Sequence, residues 1–243
     1  MPLAKIGKYL DESVQMDIRP DQLLTISGGE AMAPYMLNTP TYIPYALDLI
    51  YSTGYIPTLK TNGTWGDNNT LRKKILSDIA FRAYKYGKLI TLDISVDEFH
   101  NNQSGVIKII RDTLQNQDLC FAIRICLVGF NTPASQIALN SVSQELQKIG
   151  FEIKKTINGD WMICAPNLDF GIYMYTSYDA PISPLGRAKQ TKTNTTNDIR
   201  DYDRISCLQL DNNDNAILNY KYREPIKNRP LNTVLQSLMS KAY

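Results

Sequence analysis

The chain has 243 residues, enough for one large domain with a full hydrophobic core, and its composition (43% hydrophobic, 21% charged) is that of an ordinary globular protein. A net charge of +2 leaves no strong field to draw in nucleic acid or an anionic membrane surface. No apolar run approaches the roughly 20 residues that a membrane span requires, and Met1–Asp11 lacks the apolar core of a secretion signal, so a cytoplasmic protein is expected.

In chain order the elements alternate between strand and helix, the pattern of a parallel sheet with crossover helices. Ala4–Asp17 reads as a first helix, Gln22–Ser27 as a strand broken by Gly28-Gly29, and Pro40–Ser52 as a helix. Tyr55–Lys60 is a second strand, ending in Thr61-Asn62-Gly63. Asn69–Tyr86 carries Leu71, Ile75, Ile79 and Ala83 at helical spacing. Leu89–Val96 reads as a third strand, Gly105–Asn116 as a helix, Leu119–Val128 as a fourth strand and Pro133–Ile149 as a helix. Beyond Gly150, Phe151–Ile157 and Trp161–Cys164 flank Asn158-Gly159, a dipeptide that favours a hairpin turn. Phe170–Ser177 reads as a further parallel strand. Ala188–Tyr202 is polar and reads as a loop. Ile205–Leu210 with Ala216–Tyr222 suggests a small hairpin, and Leu231–Lys241 a closing helix. The resulting expectation is α/β: residues 1–188 as one strand–helix domain, and 189–243 as a loop and an extension packed on it.

Side chains alternate across a strand, so each strand has two legible faces. Ile90, Leu92, Ile94 and Val96 share the face expected to meet the helices. The other face collects Thr25, Ser27, Thr58, Lys60, Asn62, Asp93, Ser95, Asp97 and Arg124. Burying so many polar groups without partners would cost about 1–3 kcal/mol each. An open, wet or ligand-filled hollow explains them better than a packed barrel interior; a sheet with one solvated face is the alternative.

Four cysteines, Cys120, Cys126, Cys164 and Cys207, are too scattered for zinc-ligand spacing or a disulfide scaffold, so buried, reduced thiols and no metal site are expected. Cys120 and Cys126 would stand near opposite ends of the fourth strand, about 20 Å apart at the usual rise.

Chemistry is signalled at successive strand ends. Ser27-Gly28-Gly29-Glu30 allows close backbone approach followed by a carboxylate. Thr61-Asn62-Gly63, then Ser95-Val96-Asp97, then Gly186-Arg187-Ala188 follow in order. Here the sequence resembles the radical SAM superfamily, whose strands end in Gly-Gly-Glu-Pro, Thr-Asn-Gly and Ser-x-Asp, with Gly-Arg-Ala later in many peptide- and protein-modifying members. The resemblance covers Leu23 to Ala188. It implies a partial (β/α)6-type half of a TIM barrel with a missing or degenerate first strand, plus a small C-terminal hairpin and helix.

It also implies S-adenosylmethionine as cofactor. Gly28, Gly29 and Glu30 would hold the methionine ammonium, Ser95 and Asp97 would lie near its ribose or carboxylate, and Asn62 would sit beside the same pocket. Arg124 could fork onto the methionine carboxylate or form an ion pair with Asp93. His100 would line the pocket or cap the strand end, and Arg187 would staple the barrel end or meet substrate. The substrate would be a peptide, a protein or a small metabolite.

The sequence departs from that family in two places. Ala31 stands where Pro is usual, and no Cys-x-x-x-Cys-x-x-Cys holds the four-iron, four-sulfur cluster. In the family, an electron from that cluster cleaves the cofactor to a deoxyadenosyl radical. Two explanations are carried forward: an upstream segment bearing the cysteines, or a cluster-free binding module for a ligand or a partner protein. A third class, a hydrolase or lyase using Asp93, Asp97 and His100, requires an acid–base pair within hydrogen-bond reach.

Overall fold

The computed structural model describes residues 2–15, 23–27, 30–130, 132–155, 161–164, 171–177, 208–210, 215–218, 222–227 and 229–242. The chain divides into two compact units, Asp21–Asp179 and Met1–Pro20 with Ala180–Tyr243. The N-terminal helix, which the sequence grouped with the strands through residue 188, therefore belongs with the C-terminal segment.

The larger unit is built on a seven-stranded sheet in the order β1-β2-β3-β4-β7-β6-β5. β1 (Leu23–Ile26), β2 (Ile56–Thr61), β3 (Ile90–Ser95), β4 (Ile123–Phe130) and β7 (Gly171–Ser177) run parallel, and β1 lies at one edge of the sheet among the described residues. β5 (Glu152–Lys155) and β6 (Trp161–Cys164) form the expected antiparallel hairpin, with β6 joined antiparallel to β7. The connecting helices are α2 (Ala33–Met36), α3 (Tyr42–Ser52), α4 (Asn69–Lys85), α5 (Gln103–Gln115), α6 (Gln117–Ala122) and α7 (Pro133–Lys148).

β1 to β4 step across the sheet in chain order without reversal. Right-handed crossovers then place their helices on the same face. The core shows the result: Leu47 of α3, Ile79 of α4, Ile109 of α5 and Val142 of α7 join Leu59, Leu92, Ile94, Ile125 and Leu127 in one buried cluster. Each of those strand residues is completely buried, and each such side chain contributes about 1.5–3 kcal/mol relative to exposure.

Helix starts follow local chemistry. Asn68 Oδ1 accepts from Leu71 N at 3.1 Å to open α4, and Thr132 Oγ1 accepts from Ser135 N at 3.1 Å just before Pro133 opens α7. One segment differs from the sequence reading. Leu119–Ala122 is helical rather than extended, because Asn116 Oδ1 caps Leu119 N at 3.3 Å and Asp118 sits in the first turn. A continuous apolar run carries no periodicity to separate strand from helix, and the cap decided it. Cys120 accordingly lies on α6, not on the strand that carries Cys126.

The smaller unit contains α1 (Leu3–Gln15), a three-stranded antiparallel sheet of β8 (Leu208–Leu210), β9 (Asn215–Leu218) and β10 (Tyr222–Pro225), and α8 (Leu231–Ala242). The expected two-stranded hairpin has thus gained a third strand. α1 packs on α8, and Glu12 Oε2 accepts from Leu231 N at 2.8 Å, so a carboxylate satisfies an orphan donor at the start of α8.

Candidate functional site

The site is built outward from Thr61, the last residue of β2, which is only 3% exposed. Its hydroxyl donates to Glu30 Oε1 at 2.6 Å and accepts from Trp65 Nε1 at 2.8 Å and Gly63 N at 3.1 Å. Gly63 follows with φ +71°, in the left-handed region, and a Cβ there would meet Ile94 Cγ2 at 3.0 Å and Val106 Cγ2 at 3.2 Å. The Thr-Asn-Gly run is therefore a tight strand-to-helix corner that only glycine closes without strain.

Glu30 bridges two strand tips. Oε1 also accepts from Met32 N at 2.8 Å, and Oε2 accepts from Asn62 N at 2.8 Å. The chain beyond β1 is thereby pinned to the tip of β2 by one carboxylate. A role for Glu30 as an ammonium ligand alone is too narrow, since both of its oxygens already hold the protein together.

Asn102, 2% exposed, performs the equivalent task one strand further on. Its Nδ2 donates to the carbonyl oxygens of Asn62 and of Ser95, the latter at 2.8 Å, tying the tip of β2 to the tip of β3. Its Oδ1 is buried with no hydrogen-bond partner among the described residues. Asn102 went unnoticed in the sequence because an Asn after a strand reads as loop punctuation; only its position seven residues beyond Ser95 brings it back to the tips.

The structure thus brings Glu30, Asn62 and Ser95 together at the C-terminal edge of the parallel strands, where ligands of α/β folds bind. Asn62 uses Oδ1 to hold Thr64 N at 3.0 Å and Thr64 Oγ1 at 2.8 Å, while its Nδ2 has no partner among the described residues. The Ser95 hydroxyl likewise has none. An amide donor and a hydroxyl on neighbouring strands, held by a rigid frame and not engaged within it, suit a polar ligand. Gly28, Gly29 and the segment Pro184–Ala188 lie outside the described residues, so their expected roles rest on the resemblance.

Asp97 follows the tip of β3 two residues beyond Ser95 with its carboxylate engaged locally, and Arg124 lies lower on the sheet. Asp97, 4% exposed, accepts from Phe99 N at 2.9 Å and from His100 Nδ1 at 2.8 Å. It lines a cleft of about 350 Å³ with Glu98, His100 and the α7 residues Ala134, Ile137 and Ser141. Arg124 is exposed and sits in register with Thr91, four residues before the Ser95 level of β3. At about 3.3 Å per residue that is about 13 Å from the strand tips. Arg124 forms no ion pair with Asp93 among the described residues.

Below the tips, burial raises the Asp93 pKa above the usual carboxylate value, opposed by the positive charge of Lys60. The neighbouring Cys126 thiol is pushed up to about 11, chiefly by burial and then by the Asp93 charge. It is therefore a neutral, poorly nucleophilic thiol at pH 7. Among the described residues no group of three or more His, Cys, Asp or Glu side chains could hold a metal ion. Cys126 and Cys164 are buried on separate strands and Cys120 is on α6, a disposition that does not fit an iron–sulfur cluster.

Behind the site, the 3-10 turn Thr64–Asp67 presses against the start of α5. A Cβ on Gly105 would lie 2.6 Å from Gly63 O, and one on Gly66 would lie 2.2 Å from Gly105 O. These neighbours are backbone and cannot rotate away. Gly105→Ala is expected to destabilise the larger unit by about 1–3 kcal/mol despite alanine's better helix propensity. A urea-denaturation midpoint at or above that of the parent chain would show that the two segments do not pack this closely.

Comparison with protein-family models gives no match, and comparison with curated proteins gives none. Among the described residues no helix is long and apolar enough to cross a membrane.

Proposed function

We propose that this chain holds S-adenosylmethionine at the tips of β1–β3, as the cofactor-binding part of a radical-SAM-like protein that acts on a peptide, a protein or a small metabolite in the cytoplasm. The observation that carries the reading is the frame in which Glu30 and Asn102 lock three strand tips while the Asn62 amide and the Ser95 hydroxyl remain available. The supporting pattern is the unreversed order of β1 to β4, with helices on one face and polar residues on the other. That is the layout expected of half a TIM barrel opening onto a hollow.

Asn62 and Ser95 would contact the cofactor's polar end, with Gly28 and Gly29 giving its backbone approach by resemblance. S-adenosylmethionine would supply the adenosyl group, and its radical cleavage would need a cluster that the described cysteines do not form. Metal-free binding is therefore the property to test. Calorimetric titration of the chain with S-adenosylmethionine is expected to show saturable binding. Asn62→Ala or Ser95→Ala should weaken it about tenfold, equivalent to about 1.4 kcal/mol. No binding, or identical affinity in both variants, would remove the reading.

A second reading has one specific observation behind it. Asp97 and His100 form a 2.8 Å carboxylate–imidazole pair in the α7 cleft, the orienting arrangement used in general acid–base chemistry. Asp93, four residues earlier on β3, lies outside the residues lining that cleft, so this class would rest on Asp97 and His100 alone. Turnover of an ester or amide probe that disappears in His100→Gln and is indifferent to Asn62→Ala would favour it over the adenosyl reading.

A further inference from the structure

The polar face of the sheet is organised in rows, because register partners on parallel strands stand side by side. Thr25, Thr58, Thr91 and Arg124 form one row, and Lys60, Asp93 and Cys126 form the next toward the tips. The second row lies two residues, or about 7 Å, below the level of Asn62 and Ser95.

Lys60 and Asp93 are neighbours of opposite charge, yet among the described residues they form no ion pair within 4.0 Å, and neither has a hydrogen-bond partner there. Lys60 is exposed, and Asp93 is half-buried without a donor to stabilise its charge. One row below, on the same strand and face as Lys60, Thr58 is 3% exposed and its hydroxyl has no partner among the described residues. Cys126 beside Asp93 stays neutral at pH 7, so it adds no competing charge. An adjacent cation and carboxylate attract each other. Left apart on one face, they present an anion site and a cation site side by side.

We propose that Lys60 and Asp93 together bind the zwitterionic α-amino-acid end of a substrate, Lys60 taking its carboxylate and Asp93 its ammonium. A simple carboxylic acid would leave Asp93 without a partner, and a simple amine would leave Lys60 without one; the zwitterion satisfies both through charge-assisted hydrogen bonds. This rests on the proposed function only in assigning the strand tips, about 7 Å away, to the cofactor.

The test is an NMR titration of the full chain with L-alanine, using acetate and methylammonium as single-charge controls, with and without S-adenosylmethionine. L-alanine is expected to bind at least about tenfold more tightly than either control. Lys60→Met and Asp93→Asn should each abolish that preference while leaving S-adenosylmethionine affinity unchanged, and Lys60→Arg should retain it. Circular dichroism of each variant confirms the fold. Equal binding of L-alanine and the controls, or an undiminished preference in both charge-removing variants, overturns the proposal. Displacement of L-alanine by S-adenosylmethionine, with cofactor affinity falling in the same variants, also overturns it, because the row would then serve the cofactor's own amino-acid end. Selective L-alanine binding without any S-adenosylmethionine binding leaves this inference standing and removes the cofactor reading instead.

Discussion

Replacing Arg72 with methionine is expected to cost about 3 kcal/mol, the low end of the range for breaking a buried ion pair. Arg72 is 4% exposed and its guanidinium reaches three partners: Asp112 Oδ2 from Nε at 2.6 Å, Asn69 Oδ1 from Nη2 at 3.0 Å, and the carbonyl oxygen of Gly66 from Nη1. The variant keeps the aliphatic bulk but leaves Asp112 without its main partner and the Gly66 carbonyl without its donor. Asp112 retains some access to water, and Arg111 at 3.4 Å, which is why the low end applies. For a chain of this size about 3 kcal/mol corresponds to a melting temperature lower by about 6–12 °C. Lysine at the same position should rescue little, since one ammonium cannot reproduce a planar fork to three acceptors. A melting temperature within about 2 °C of the parent would show that the ion pair and the Gly66 contact contribute little.

Thr61→Val is the second large effect. The substitution is nearly isosteric, so no cavity arises, and the whole change is the loss of one hydroxyl. That hydroxyl serves three groups at once, so Trp65 Nε1–H, Gly63 N–H and Glu30 Oε1 each lose a partner. Trp65 is 2% exposed, and no water can replace the bond there. A buried donor left unsatisfied costs about 1–3 kcal/mol, and with the loosened Glu30 contact a total of about 2–4 kcal/mol is expected. The indole fluorescence of Trp65 should also change, because its N–H loses its acceptor. Thr61→Ser, which keeps the hydroxyl, should recover most of the stability. If valine and serine are equally stable, the hydroxyl is not the organising group at this corner.

Both predictions concern the frame behind the strand tips, and this frame was only partly legible in the sequence. Alternation along Leu89–Val96 separated Ile90, Leu92 and Ile94 from Thr91, Asp93 and Ser95, and the buried cluster follows that division. The period of two survives in any parallel sheet covered by helices, because the pleat sends successive side chains to opposite faces. Caps at Asn68 and Thr132 were equally local. The helix at Leu119–Ala122 was missed because an apolar run bounded by a cap satisfies both strand and buried-helix patterns, and only the Asn116 contact separates them.

Among the candidate site residues, the positions of Asn62 just past the end of β2 and of Ser95 at the end of β3 were legible from the strand pattern alone. For Arg124 the face was legible, but its level relative to the other strands was not, because the register that sets it beside Thr91, four residues below Ser95, is a tertiary relation. Asp97 was read as a continuation of β3, whereas the chain turns after Ser95 and gives its carboxylate to Phe99 N and His100.

By itself the sequence determined the alternation of strands and helices, the polar and apolar faces, and the glycine corner after β2, because each depends on residues within one or two turns of one another. The tertiary structure alone decided that Glu30 and Asn102 are struts between strand tips, that Arg72 ties α4 to Gly66 and Asp112, and that Lys60 and Asp93 stand side by side without pairing. The relations of Glu30 to Asn62, Arg72 to Asp112, Asn102 to Asn62 and Lys60 to Asp93 join residues about 30–40 positions apart, and their distances are set by strand register and close packing, which no local pattern encodes.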